Sequence, residues 1–154
     1  MPSKIISSPK KMDRIILTQT DTTVGFLSQD AQRLEKIKLR PNNKPFLKVY
    51  ADLHSLWHNL RIPIHHRRRL RHAHKTTFIV KNQAFRLVRD GEHSRLIKRY
   101  GWFYSTSANE SGKHYDPDFC KSVSDWIIED ARGLYESSSS KIYTLQHTRL
   151  RRTR

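Results

Sequence analysis

Acidic residues are missing from one whole stretch of this chain: residues 53 to 89 contain none, yet carry nine Lys or Arg. The imbalance runs through the sequence, with 30 Lys and Arg against 14 Asp and Glu and a formal charge of +16. Such a field attracts polyanions at long range, so a nucleic-acid partner is expected. Residues 110 to 136 hold seven acids and three bases, which predicts one basic face rather than uniform solubility charge. Cysteine is nearly absent as well. The single Cys120 excludes an internal disulfide and any multi-cysteine zinc site, and it fits a reducing compartment. Five glycines and six prolines in 154 residues exclude collagen-like and linker-like chains. No apolar run is long enough to span a membrane, and the basic start MPSKIISSPKKMD lacks the apolar stretch of a signal peptide. A cytoplasmic protein with no membrane partner is expected.

What is present reads as alternating strands and helices. Residues 14–20, RIILTQT, form a β-branched run that feeds a polar loop. Ser28 is read as the cap of a helix whose Ala31, Leu34 and Ile37 share a face and which ends near Pro41. PFLKVYA is a second strand, and Asp52 caps a helix with Leu53, Leu56, Trp57 and Leu60 inward. KTTFIVK and AFRLVR flank an Asn-Gln turn as a hairpin. EHSRLIKRYG is a helix stopped by Gly101, and WFYSTS is an aromatic strand. Asp116 caps a helix with Pro117 in its first turn and a stripe of Phe119, Val123, Trp126 and Ile127. The serine run 137–140 leads to a last strand, KIYTL. The pattern predicts an α/β fold, with a basic tail over residues 1–12, one domain over 13–148 and a second basic tail over 149–154.

Three stretches carry chemistry. YSTSANESGKHYD sets small hydroxyl and amide side chains at the end of a strand, where α/β sheets hold ligands. KIKLRPNNKP sets Lys38 and Arg40 two residues apart before a proline-bounded turn, so both cations could face one phosphate. RIPIHHRRRLRHAHK packs six Lys or Arg and four His into fifteen residues, and Arg67, Arg68, Arg69 and Arg71 are the candidate phosphate contacts for RNA. His54 and His58 share helical metal-ligand spacing, but no Glu or third ligand accompanies them, so no metal site is expected. Cys120 lies on a helix stripe and reads as a small packed hydrophobe.

TQTDTTVGFL, KIKLRPNNKP, KTTFIV, YSTSANESG and SSSKIYTL occur in the order of the threonylcarbamoyl-AMP synthase family, and from residue 14 to 152 the chain resembles a compact, divergent YrdC-like domain. The resemblance implies a twisted open mixed sheet with flanking helices around a concave basic cavity. It implies synthesis of threonylcarbamoyl-AMP and pyrophosphate from L-threonine, bicarbonate and ATP with Mg²⁺, for tRNA threonylcarbamoyladenosine, with a downstream threonylcarbamoyl transferase complex as partner. Matched position by position, Lys38 and Arg40 hold the nucleotide phosphates and carry the catalysis, while Ser107, Asn109 and Ser140 complete the ATP site. Thr20 and Thr22 lie beside the threonine pocket.

The chain departs from the family at Val24, where a tyrosine is usual, and at His74 and Lys75, which replace a Gly-Pro. Arg89 is followed by Asp90 and Gly91 instead of completing R-x-P, and the chain closes on RLRRTR. These departures keep open a non-catalytic module that binds tRNA, ribosomal RNA or other double-stranded RNA. A basic structural protein of the ribosome is a third reading, although it would need no S-x-N loop.

Overall fold

The computed structural model describes residues 11–39, 45–89, 91–110 and 112–154. Among the described residues, nine strands form one twisted mixed sheet in the order β7-β1-β2-β6-β3-β5-β4-β8-β9. They are β1 Ile16–Gln19, β2 Val24–Ser28, β3 Leu47–Tyr50, β4 Thr76–Val80, β5 Gln83–Leu87, β6 Trp102–Ser107, β7 Trp126–Ile128, β8 Lys141–Leu145 and β9 Leu150–Arg152. Among the described residues, five α-helices flank it: α1 Ala31–Lys38, α2 Leu53–Asn59, α3 Arg67–His72, α4 Gly91–Tyr100 and α5 Pro117–Val123. The α/β class is as the sequence pattern predicts, and the twisted mixed sheet is as the resemblance implies.

Period-two alternation sorts side chains to the two faces. On β1, Leu17 joins a cluster with Phe26, Leu34 and Cys120, while Ile16 joins Leu27, Val49 and Phe103 on the other face. The first face is covered by α1, α2, α3 and α5, whose Leu34, Leu56, Leu70 and Cys120 are fully buried. The second is covered by α4 through Ile97. Along β6 that second face changes character, from buried Phe103 to Ser105 and then Ser107. Beyond α4 the sheet is therefore polar, and the candidate site lies there.

Local chemistry explains several element ends. Asp52 accepts from Ser55 N at 2.7 Å, and Asp116 accepts from Asp118 N at 3.1 Å, both as predicted caps. Gly101 stops α4 at φ 91°, a conformation that costs glycine little. The β4–β5 hairpin turns on Lys81 and Asn82, both at positive φ, one position earlier than the expected Asn-Gln pair.

Three expectations are corrected. Asp30, not Ser28, caps α1, accepting from Gln32 N at 3.0 Å, because Ser28 is already the last residue of β2. VGFLS is a strand buried along its length, and its continuous apolar run hides the alternation that marks half-buried strands. Trp126 and Ile127 are not on the α5 stripe. The helix ends at Val123, and residues 126–128 pair in parallel with β1 as an exposed edge. At the other edge, residues 150–152, expected within a basic tail, pair antiparallel with β8. Among the described residues, no helix is long and apolar enough to cross a membrane.

Candidate functional site

The loop after β1 folds back on itself. Thr20 Oγ1 accepts from Thr22 N at 3.2 Å and donates to Thr23 O, which fixes a polar turn at the mouth of the sheet. Gly25 follows because a Cβ there would meet Thr106 O and the Thr20 methyl group at 2.9 Å. Two adjoining cavities open around this loop, and Thr20 and Thr22 line both. One, of about 330 Å³, is bounded by Gly25, Arg86, Ser105, Ser107, Ser140 and Arg154 among others. The other, of about 400 Å³, is bounded by Asp21, His74, Lys75, Arg89, Arg132 and Tyr135 among others.

Lys38, at the end of α1, is almost wholly buried. Its ammonium donates to Ser107 O at 3.0 Å, Asn109 O at 2.8 Å and Asn109 Oδ1 at 2.6 Å. Ser107 Oγ donates to the same Oδ1 at 2.8 Å, and Asn109 Nδ2 donates to Lys113 O. Lys38, Ser107 and Asn109 thus form one hydrogen-bonded unit that clamps the loop after β6 onto α1. Ser140 lies across the first cavity, its hydroxyl 2.7 Å from that of Thr77 and its carbonyl accepting from Arg154 Nε at 3.1 Å. Arg40 falls outside the described residues. Cys120 is fully buried among apolar side chains, and burial pushes its thiol pKa up, which suits a packing role.

Arg67, Arg68, Arg69 and Arg71 are exposed on α3 and line neither cavity, and the Arg67 guanidinium lies 5.0 Å from the centre of the Trp57 ring. The His54 and His58 rings meet at a tilt of 51° with their centres 4.4 Å apart. Among the described residues, no three His, Cys, Asp or Glu side chains gather to hold a metal ion.

Several charged residues at the site escaped the sequence reading. Arg86 projects from β5 into the first cavity with 5% of its side chain exposed, and its Nη2 lies 3.2 Å from Asp21 Oδ1. Burial lowers its pKa from the usual arginine value while Asp21 opposes the shift. Arg132 donates to Gln19 O and Thr20 O and pairs with Asp130 at 2.6 Å, so it braces the threonine loop from outside. The available signals were a lone arginine between Phe85 and Leu87 in an apolar strand and an aspartate inside the T-D-T-T turn. No sequence feature linked the two.

His93 on α4 is also buried, with neither ring nitrogen hydrogen-bonded. Burial, reinforced by Arg86 and Arg132, pushes its pKa from 6.5 down to about 3. The native state therefore holds this ring neutral while the unfolded chain protonates it below 6.5. Stability from this group is complete above pH 6.5 and falls by about 1.4 kcal/mol per unit as pH drops toward 3. His93→Leu should flatten that acid limb in a series of thermal melts against pH. An unchanged limb would refute the assignment.

No model of a known protein family matches the chain. An uncharacterized protein of Mycoplasma pneumoniae, a homolog of MG259, is 34% identical over 92 residues, which cover 60% of this chain and a fifth (20%) of that relative. Among solved structures, P. abyssi Sua5 complexed with L-threonine superposes with a TM-score of 0.74 at 17% identity, covering 92% of this chain and 50% of that one. E. coli YciO gives 0.73 at 18% identity, covering 92% of this chain and 82% of that one. The fold is therefore that of the Sua5/YrdC proteins, a YrdC-like sheet.

Proposed function

We propose that the chain is an L-threonylcarbamoyladenylate synthase domain, forming threonylcarbamoyl-AMP and pyrophosphate from L-threonine, bicarbonate and ATP. The observation that carries this reading is convergence: Thr20, Thr22, Ser107 and Ser140, drawn from three distant parts of the sequence, line one cavity beside the Lys38–Asn109 clamp. Support comes also from the L-threonine bound by a protein of the same fold.

The chemistry asks for positioning and charge neutralisation more than for covalent catalysis. Threonine's amine, once deprotonated, adds to the carbon of bicarbonate or carbon dioxide to give a carbamate, with water leaving in the bicarbonate case. A carbamate oxygen then attacks the α-phosphorus of ATP, and the bond to the β-phosphate oxygen breaks to release pyrophosphate. Lys38 and Arg40 would offset charge developing on the phosphates, and Ser107, Asn109 and Ser140 would orient the nucleotide. Thr20 and Thr22 would border the amino acid. Mg²⁺ would enter with the triphosphate, whose oxygens suit its octahedral demand. The labile product would pass to a downstream threonylcarbamoyl transferase complex acting on tRNA. Purified protein given ATP, bicarbonate and Mg²⁺ should release pyrophosphate only when threonine is added. Threonine-independent release, or none, would remove the reading.

One observation favours RNA binding as a second role, with or without catalysis. His66 Nε2 lies 2.6 Å from Gln146 O, and the rings of His65 and His147 meet edge-on at 6.0 Å. The basic helix α3 is thereby tied to the β8–β9 hairpin with its exposed Arg149, Arg151 and Arg152. Two basic segments, separated in sequence, form one candidate surface for the phosphates of tRNA or double-stranded RNA.

A further inference from the structure

Ile64 is held out into solvent by its neighbours. Ile62 and His66, two residues to either side, are buried at 2% and 3% exposure, Ile62 in the apolar cluster that includes Leu70 and His66 through the contact of its Nε2 with Gln146 O. Pro63, at φ −55° and ψ 135°, leads from the first anchor into the single 3₁₀ turn Ile64–His66. Between the anchors Ile64 stays 73% exposed. A lone aliphatic side chain in solvent is ordinary on a protein surface, but this one cannot roll inward without lifting a buried neighbour out, and its surroundings are cationic.

His65 follows directly, and its ring meets that of His147 in the β8–β9 turn at 80°, so two exposed ring planes form a corner next to the isoleucine in the chain. Exposed arginines continue on both sides, along α3 after His66 and at Arg149 after His147. Neither residues 53–89 nor residues 141–154 contain an acidic side chain, so no carboxylate of either segment opposes an anion here. The patch joins fixed cations, flat rings and one aliphatic group. An anionic membrane would use the cations, but α3 has no apolar face to insert, since its one apolar side chain, Leu70, is buried. Nucleic acid uses all three. Its phosphates meet the cations, and a base that has left its stack offers a bare face to the rings and the aliphatic group. In a continuous duplex the neighbouring bases cover that face.

We infer that this surface recognises RNA at an unpaired base, whose face lies on Ile64 and the His65–His147 rings while the flanking phosphates meet the arginines of α3 and of the β8–β9 turn. This deepens the RNA-binding reading, on which it rests, by naming a substrate class: folded RNA with a loop or bulge rather than uninterrupted double strand. The contributions divide between residues. The arginines supply affinity that any RNA shares, and Ile64 with the two rings supplies the preference.

Fluorescence anisotropy of the full chain with two labelled RNAs tests this: a hairpin with an open loop, and a continuous duplex carrying the same number of phosphates. The unmodified protein should bind the hairpin about tenfold more tightly, the difference that one stacked base confers. Ile64→Ser should bring the hairpin down to the duplex affinity and leave the duplex affinity and both salt slopes as they were, because it removes an apolar contact and no charge. The exposure of Ile64 keeps the core intact in that variant. His147→Ser should reduce the preference in part. Equal affinity for the two RNAs in the unmodified protein, or an Ile64→Ser protein that keeps the preference, overturns the inference. Salt-dependent duplex binding without preference for the hairpin would do so while leaving the RNA-binding reading standing, and failure to bind either RNA would remove both. Tighter binding to vesicles of anionic phospholipid than to the hairpin, lost in Ile64→Ser, would also overturn it and assign the patch to a lipid surface.

Discussion

Lys38→Met should lower the unfolding free energy by about 2–4 kcal/mol and abolish threonine-dependent pyrophosphate release. The stability effect follows from the Lys38 ammonium, whose three bonds satisfy Ser107 O, Asn109 O and Asn109 Oδ1. Methionine fills a similar volume but donates nothing, so those acceptors lose a charged partner at a buried position. Loss of activity follows twice over, through the missing charge and through the released loop. The two contributions separate by experiment. Asn109→Asp preserves an oxygen acceptor for Lys38 but gives up the donor to Lys113 O, so it should disturb the loop while leaving the cation in place. Chemical denaturation of both variants beside ATP titration is the measurement. A Lys38→Met protein that unfolds at the wild-type denaturant midpoint would show that the clamp carries little energy.

How far the fold could be read from the sequence depended on whether the deciding interaction was local. Asp52 and Asp116 announce helix starts because a cap acts over three residues, and each accepts the bond that its type predicts. The β4–β5 hairpin is legible for the same reason, as two β-rich runs joined by a short turn. β2 was not, since VGFLS is buried on both sides and periodicity says nothing about such a run. Helical spacing extended the Phe119–Val123 stripe to Trp126 and Ile127. Backbone pairing of Trp126 N with Ile15 O, far away in sequence, decided instead for a strand. β9 depends wholly on β8, because Leu-Arg-Arg has no strand signal of its own.

The candidate site divides along the same line. Residue chemistry alone singled out Lys38 and the stretch that holds Ser107 and Asn109, but their roles beside Ser140, Thr20 and Thr22 came through resemblance, which transmits long-range juxtaposition that residue spacing cannot. Asp21 and Arg86 have no such help. Arg86 reads in sequence as the outward face of a strand, and only the sheet order, with β5 beside β3 and β3 beside β6, turns it into the cavity. His93 was hidden likewise, since a histidine near a helix start gives no hint of complete burial.

Replacing Arg67, Arg68, Arg69 and Arg71 together with glutamine should reduce the salt dependence of RNA binding more than substitution of the β8–β9 arginines does. Each phosphate contact contributes roughly 0.7 to 0.9 to the log–log slope of affinity against salt, so four lost contacts should flatten it by about 3. All four side chains are exposed, and the buried residue that fixes α3 is Leu70, so the fold should survive. Substituting Arg149, Arg151 and Arg152 should flatten the slope by about 2, because the His66–Gln146 bond sets the hairpin beside α3. If both segments contact one RNA duplex, the combined variant should lose nearly all salt dependence. Pyrophosphate release should persist in the α3 variant, whose arginines line neither cavity. Filter binding of a tRNA transcript over a salt series, with turnover measured on the same preparations, distinguishes the outcomes. An unchanged slope in the α3 variant would mean that RNA docks elsewhere, whereas lost turnover at unchanged RNA affinity would move these arginines into the small-molecule site.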